Sequence, residues 1–309
     1  MIKVVIGIGV ELKKFLLCLK ADVVYLNYLV VLRAEGIIRA ISHIKGVDEL
    51  IDINSYILND EDETAEKENN VRQLLAEYNK AGITDIIAAP KQWHGNDKRP
   101  GDTIPFLIEQ FQKQWHGELG ALRLHPGQCV RLTDTLVNEL KMEEALTLNG
   151  SRYVLTDWNE ELSYHQMHAH LHELRMEGYM PILAEPEKNQ GFQQHPEELY
   201  RLIKNGSLAQ VNAGTFSKSA PKPQRQLAEK MIQYRWANIV ANVTIDSVEG
   251  GPSMESAFDS IEKLAGRDYA QMLKDNAVCV LNNQYVSTEE PFSLKEKRKW
   301  FMPNRSKAK

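Results

Sequence analysis

The sequence predicts an α/β barrel, in which a parallel sheet closes on itself inside a ring of helices. From Ile51 onward, short apolar runs alternate with amphipathic stretches of helical period. About seven such units follow one another, which favours closure over an open sheet. A chain of 309 residues has room for a barrel of ordinary size.

The elements follow in order. Lys3–Ile8 is rich in β-branched residues and reads as a strand, Glu11–Leu19 as a short helix, and Val23–Leu32 as a buried strand. Gly7-Ile8-Gly9 opens like a dinucleotide loop, but Leu12 stands where the third glycine belongs, so a plain strand-turn-helix is the better reading. In the repeating region, Ile51–Leu58 predicts a strand and Glu66–Ala81 a helix ending at Gly82. Thr84–Ala89 predicts a strand stopped by Pro90, and Gly101–His116 a helix. Further strands are expected at Leu122–Leu124, Tyr153–Thr156, Met180–Ala184, Ala209–Val211 and Asn238–Val243. Helices at Tyr164–Glu177, Pro196–Lys204, Lys222–Tyr234 and Met254–Leu264 separate them. After Pro291 the chain turns basic, with Lys295, Lys297, Arg298, Lys299, Arg305, Lys307 and Lys309, the pattern of a solvated tail. The expected organisation is therefore an extension over 1–50, a barrel over 51–290 and a basic tail over 291–309.

Composition excludes several classes. A net charge of −5 gives no basic face for nucleic acid. Charged residues interrupt every apolar run near the start, none of which approaches the ~20 residues of a membrane span, and no signal-peptide pattern is complete. Cys18, Cys129 and Cys279 are too few and scattered for a disulfide framework, so a cytoplasmic location is expected.

Chemistry-bearing residues gather at the predicted strand ends, where a barrel builds its site. These segments are Asp52–Tyr56, Ile87–Gln92, Pro126–Arg131, Ile182–Asn189, Ala209–Gly214 and Val240–Ile245. In order and spacing, together with the runs Leu148–Leu155 and Leu202–Val211, they resemble the bacterial PHP (polymerase and histidinol phosphatase) superfamily. The closer likeness is to the manganese-dependent protein-tyrosine-phosphatases found with capsule and exopolysaccharide genes. It spans about Ile51 to Asn283 and implies a distorted (β/α)7 TIM-like barrel with a three-manganese cluster at its mouth; residues 1–50 have no counterpart.

The same resemblance implies that the ligand positions are altered. Asn54 and Tyr56 stand where the family has a His-x-His pair, Asn69 where it has a carboxylate, and Lys91 and Gln92 where it has paired histidines. Cys129 replaces a bridging glutamate, Glu185 a histidine and Lys188 an arginine, while Val243 and Ile245 fall in the closing Ser-Asp-Ala-His. Divalent ions need several anionic oxygens or neutral nitrogens converging on them, and this set supplies few. Weaker metal candidates are His94, His125, Glu185 and Asp246. A separate group, His165, His168 and His172, would share one helix face, although a solvated face explains it better. A cysteine phosphatase is excluded, because the arginine needed six residues after the nucleophile is absent: Thr135 follows Cys129 at that spacing.

Two functions are compatible with these residues. One is a pseudophosphatase that binds without hydrolysis, needs no cofactor, and has a bacterial tyrosine kinase or its phosphorylated tail as partner. Lys91, Arg131 and Lys188 would then contact an acidic or phosphorylated group. The alternative is a still-active metal-dependent phosphatase or phosphoesterase with a rearranged site.

Overall fold

The computed structural model describes residues 50–58, 65–94, 97–158, 162–242 and 254–295. The elements expected over residues 3–32, the Gly7–Gly9 turn, the triplet Val243, Ile245 and Asp246, and the basic run from Glu296 on lie outside the described residues.

The chain alternates as expected. It begins with β1 (Leu50–Ser55), α1 (Ala65–Lys80) and β2 (Ile83–Ala88), then a small hairpin, β3 (Trp93–His94) and β4 (Asp97–Lys98). A 3-10 turn (Gly101–Thr103) leads into α2 (Ile104–Gln114), α3 (His116–Leu119), β5 (Arg123–Pro126), β6 (Cys129–Arg131) and α4 (Leu136–Lys141). The second half holds β7 (Tyr153–Asp157), α5 (Tyr164–Met176), β8 (Met180–Ala184), α6 (Gln190–Gln194), α7 (Pro196–Lys204), β9 (Leu208–Asn212), α8 (Lys222–Gln233), β10 (Ile239–Ala241), α9 (Met254–Ala265) and α10 (Arg267–Leu281).

Parallel pairing joins β1-β2-β5 and, separately, β10-β9-β8-β7-β6. β5 and β6 are two halves of one strand position, interrupted at Gly127-Gln128. The step is bridged because Cys129 pairs in parallel with Lys91, just past β2. Counting them once gives seven positions, the (β/α)7 arrangement. Gly127 is required at the break: a Cβ there would lie 2.5 Å from Ile87 Cγ2 and 3.0 Å from Leu148 Cδ2. At the other seam, no ladder joins β1 to β10 among the described residues. The buried Asp52 carboxylate connects them, its Oδ1 accepting the Asn242 N–H at 3.0 Å.

Alternation along the strands sorts two apolar layers. Ile51, Ile53, Ile87, Tyr153, Leu155, Ile182, Leu208 and Ile239 pack together with Ala277, Val280 and Leu281 of α10. Val154, Leu183, Ala209, Val211 and Val240 instead join the helices, among them Leu75 and Tyr78 of α1, Leu171 of α5 and Met231 of α8. Two expectations are corrected. β1 stops at Ser55, so Tyr56 lies beyond it in the loop, and α10, separated from α9 by Gly266 at φ +92°, was not anticipated.

Beyond α10, residues 284–292 form a strap across the beginnings of the later strands. Tyr153 Oη donates to the Gln284 carbonyl at 2.5 Å and accepts from the Val286 N–H at 3.0 Å. Asn276 holds both backbone groups of Ser287 at 2.8 Å, and Trp236 Nε1 donates to the Phe292 carbonyl at 2.8 Å. The strap roofs a cavity of about 390 Å³ lined by Tyr153, Met180 and Leu208.

Candidate functional site: the mouth of the barrel

Because the barrel strands run parallel, their carboxyl ends meet at one mouth. Lys91 reaches in from the segment after β2, its Nζ 2.9 Å from Asp157 Oδ2 at the end of β7 and 5.9 Å from the centre of the Tyr56 ring. Across the mouth, Lys188 Nζ lies 2.5 Å from Glu185 Oε1, which also accepts a hydrogen bond from Asn212 Nδ2 at 2.6 Å. The base is polar and buried: Asn54 Nδ2 donates to Gln210 Oε1 at 2.9 Å, which leaves Asn54 Oδ1 and Gln210 Nε2 without partners.

Backbone geometry fixes Glu185. It adopts the left-handed conformation, φ +46° and ψ +49°, uncommon outside glycine. Its N–H donates to the Gln210 carbonyl, and its own carbonyl accepts from the Lys188 N–H, both at 2.9 Å. Pro186 then starts the 3-10 turn Pro186–Lys188, which carries Lys188 back over the Glu185 carboxylate.

The electrostatics tie these groups together. Burial, then the neighbouring Cys129 and the Glu185 and Asp157 carboxylates, push the Tyr56 hydroxyl pKa far up. Burial, followed by Asp157, likewise pushes the Cys129 thiol well above its ordinary value, against the opposing pull of Lys91. Cys129 is therefore a neutral, packed thiol hydrogen-bonded to Tyr56. Burial lowers the Lys91 pKa, but Asp157 outweighs it and the ammonium ends above its usual value. Two deeper carboxyls are also shifted. Burial raises Glu187 to about 8 and Asp52 to about 6, the latter despite a 2.7 Å hydrogen bond from Tyr78 Oη.

Asn54, Tyr56, Lys91, Cys129, Glu185 and Lys188 thus converge. Others do not. Asn69 is exposed on α1. Gln92 turns aside, Nε2 donating to Glu139 Oε2 at 2.6 Å while Oε1 accepts from the Arg131 N–H at 3.0 Å. Arg131 stacks on Trp93, 5.2 Å from the ring centre. His125 does not point to the mouth: its Nε2 sits 2.7 Å from Asp85 Oδ1, in the first half of β2, where Arg123 grips the same carboxylate. His94 lies in β3. On α5, His165 and His172 are exposed, and His168 Nε2 contacts Asn205 Nδ2 at 2.6 Å. Sequence reasoning placed Asp52, Gln210 and Asn212 in strand-end segments without giving them a role, and missed Asp157. The signal for Asp157 was available, since it is a carboxylate directly following the apolar run Tyr153–Thr156.

Among the described residues, those at the mouth do not fit a three-ion cluster. Asp157 and Glu185 are each neutralised by an ammonium, the thiol is held neutral, and Asn54 Oδ1 is left as a single open oxygen. A divalent ion entering here would have to displace a lysine.

A family profile described as capsular polysaccharide synthesis, CpsB/CapC, matches residues 50–282. Among curated relatives, CapC of Staphylococcus aureus, named provisionally as a tyrosine-protein phosphatase, is 28% identical over 82% of this chain and 99% of its own. The tyrosine-protein phosphatase YwqE of Bacillus subtilis is 24% identical over 81% of this chain and 98% of its own. CpsB of Streptococcus pneumoniae, likewise named a tyrosine-protein phosphatase, is 25% identical over 77% of this chain and all of its own. A chain from the solved structures of YwqE and CpsB, described as metal-dependent tyrosine phosphatases, superposes with a TM-score of 0.72 at 24% identity, covering 79% of this chain and 99% of that one. That superposition establishes the fold. No helix among the described residues is long and apolar enough to cross a membrane.

Proposed function

Since this chain belongs to the CpsB/CapC family of capsular polysaccharide synthesis, we propose that it is a non-hydrolysing member, a pseudophosphatase that keeps the barrel and its partner surface. The observation that carries this reading is the pairing of both mouth carboxylates with lysines, Asp157 with Lys91 and Glu185 with Lys188. Phosphate-ester hydrolysis by metal-activated water needs cations at that spot, to lower the pKa of the water and to neutralise the phosphoryl oxygens. Here the spot already holds side-chain ammoniums.

Binding fits the same residues better than cutting. Arg131 is the freest cation of the proposed contact set, because its guanidinium stacks on Trp93 and pairs with no carboxylate among the described residues. From outside the convergent mouth that holds Lys91 and Lys188, it would take a phosphorylated tyrosine tail such as a membrane-associated kinase presents, with modest, salt-sensitive affinity. A cytoplasmic setting goes with that partner.

The second reading, a working metal-dependent tyrosine phosphatase, is favoured by the names of the relatives and is better supported by those comparisons than the first. One experiment separates the two. Purified protein is assayed for metal by elemental analysis and for phosphotyrosine-peptide hydrolysis with added manganese. Background turnover is expected; manganese-dependent turnover that co-purifies with the protein would establish the second reading instead.

A further inference from the structure

We propose that Lys91 and Lys188 are the resident cations of this mouth, their ammoniums compensating the charge of Asp157 and Glu185 in place of divalent ions, so that removing them creates a divalent-cation site. This inference rests on the reading of the mouth as metal-free.

Three observations converge. Asp157 and Glu185 follow from neighbouring parallel strands, β7 and β8, and Glu185 is buried. Each carboxylate has its own ammonium, at 2.9 Å and 2.5 Å. Two negative charges meet two positive ones, leaving no net charge to attract a further cation. Finally, Glu185 is held in its left-handed conformation by backbone hydrogen bonds that do not involve its carboxylate, so the carboxylate stays aimed at the mouth whatever neutralises it. The adjacency of β7 and β8 puts these two half-buried to buried carboxylates around one partly desolvated spot. Such a spot cannot carry two unpaired charges cheaply. If the lysines are the compensating ions, their loss leaves a vacancy that an oxygen-seeking divalent ion fills.

The test replaces both ammoniums while keeping most of the stem, in Lys91→Met/Lys188→Met, and follows thermal unfolding with EDTA, 10 mM manganese or 10 mM calcium. Wild type should melt alike in all three. The double variant should melt higher with either ion, by about 3 °C for an affinity of roughly 1 mM, and isothermal titration with manganese should show a site that wild type lacks. Adding Asp157→Asn and Glu185→Gln to the double variant should abolish both effects. If Lys91→Met/Lys188→Met folds only with added ion, that is the expected result in stronger form.

A double variant as indifferent to cations as wild type overturns the proposal, as does one that stays unfolded with ion while the fourfold variant folds. Should neither of these fold, Lys91→Met and Lys188→Met singly are read by the same titration, and the absence of a new manganese site in both overturns it. Stoichiometric metal in purified wild type would instead sink the non-hydrolysing reading itself. A metal-free wild type with cation-indifferent variants sinks only the lysine assignment.

Discussion

At the scale of single residues, Glu187 is the most informative buried group outside the ion pairs. Its Oε1 accepts the Asn212 N–H at 2.9 Å and the Thr215 hydroxyl at 3.1 Å, while Oε2 has no partner. Burial, then the charge of Glu185, raises its pKa from the ordinary 4.5 to about 8. A raised folded-state value favours the protonated form. The stability this group contributes is therefore complete below about pH 4.5 and is lost as pH rises through about 8. Chemical denaturation should show wild type losing a few kcal/mol, on the order of 1.4 per pKa unit, between about pH 5 and 8.5. Glu187→Gln keeps the accepting oxygen and cannot ionise, so its stability should fall much less over that range. An equal slope in both proteins would remove Glu187 as the source.

At this scale the sequence showed residue identities but not their pairings. Lysines and glutamates at strand ends could be read off the chain, but which carboxylate answers which lysine depends on loop geometry. The pairing of Lys91 with Asp157 joins residues far apart in the chain and has no periodic signature.

At the scale of elements, the break between β5 and β6 makes a sharp prediction. Gly127→Ala puts a methyl 2.5 Å from Ile87 Cγ2 inside the barrel, so it should destabilise by about 1–3 kcal/mol. Ile87→Ala clears that space, and the double variant should be more stable than the sum of the two single losses. Simple additivity, measured by urea unfolding, would show that the glycine is not there for that contact. The strap gives a second prediction. Tyr153→Phe removes a donor to the Gln284 carbonyl and an acceptor for the Val286 N–H. It should cost about 1–3 kcal/mol and speed proteolysis after residue 283, while a surface control such as Lys113→Ala changes neither.

Elements differed in legibility for physical reasons. Strands that are short unbroken apolar runs, such as Met180–Ala184, were found to the residue. α10 was overlooked although Tyr269, Ala270, Leu273, Asn276, Ala277 and Val280 are buried at helical spacing. It begins only one residue after α9 ends, so the two merge into one long pattern. β6 is three residues long and buried by its neighbours, too short for any period to appear.

At the scale of the whole molecule, apolar layers inside and outside the sheet hold the barrel, and both seams are closed by protein groups: the Lys91–Cys129 bridge on one side, Asp52 on the other. Stability of this kind does not depend on bound ions. Purified without metal and dialysed against EDTA, the protein should keep native near-ultraviolet circular dichroism and a single cooperative melt; a molten spectrum would contradict this. The overall architecture was the most legible level, because it follows from the repeated rhythm of strand and helix and needs no single residue to be right.

The strap also sets a timetable. Tyr153 is separated from Gln284 by 131 positions, and Trp236 from Phe292 by 56. On a ribosome adding residues one at a time, β7 emerges long before its roof exists. The beginnings of β7 to β9 must wait, with Tyr153, Met180 and Leu208 unroofed, until residues 284–292 leave the tunnel. Closing such distant contacts is slow compared with forming a helix. The nascent chain therefore passes through a nearly complete, open-ended barrel, and chaperone demand should peak just before residues 284–292 emerge.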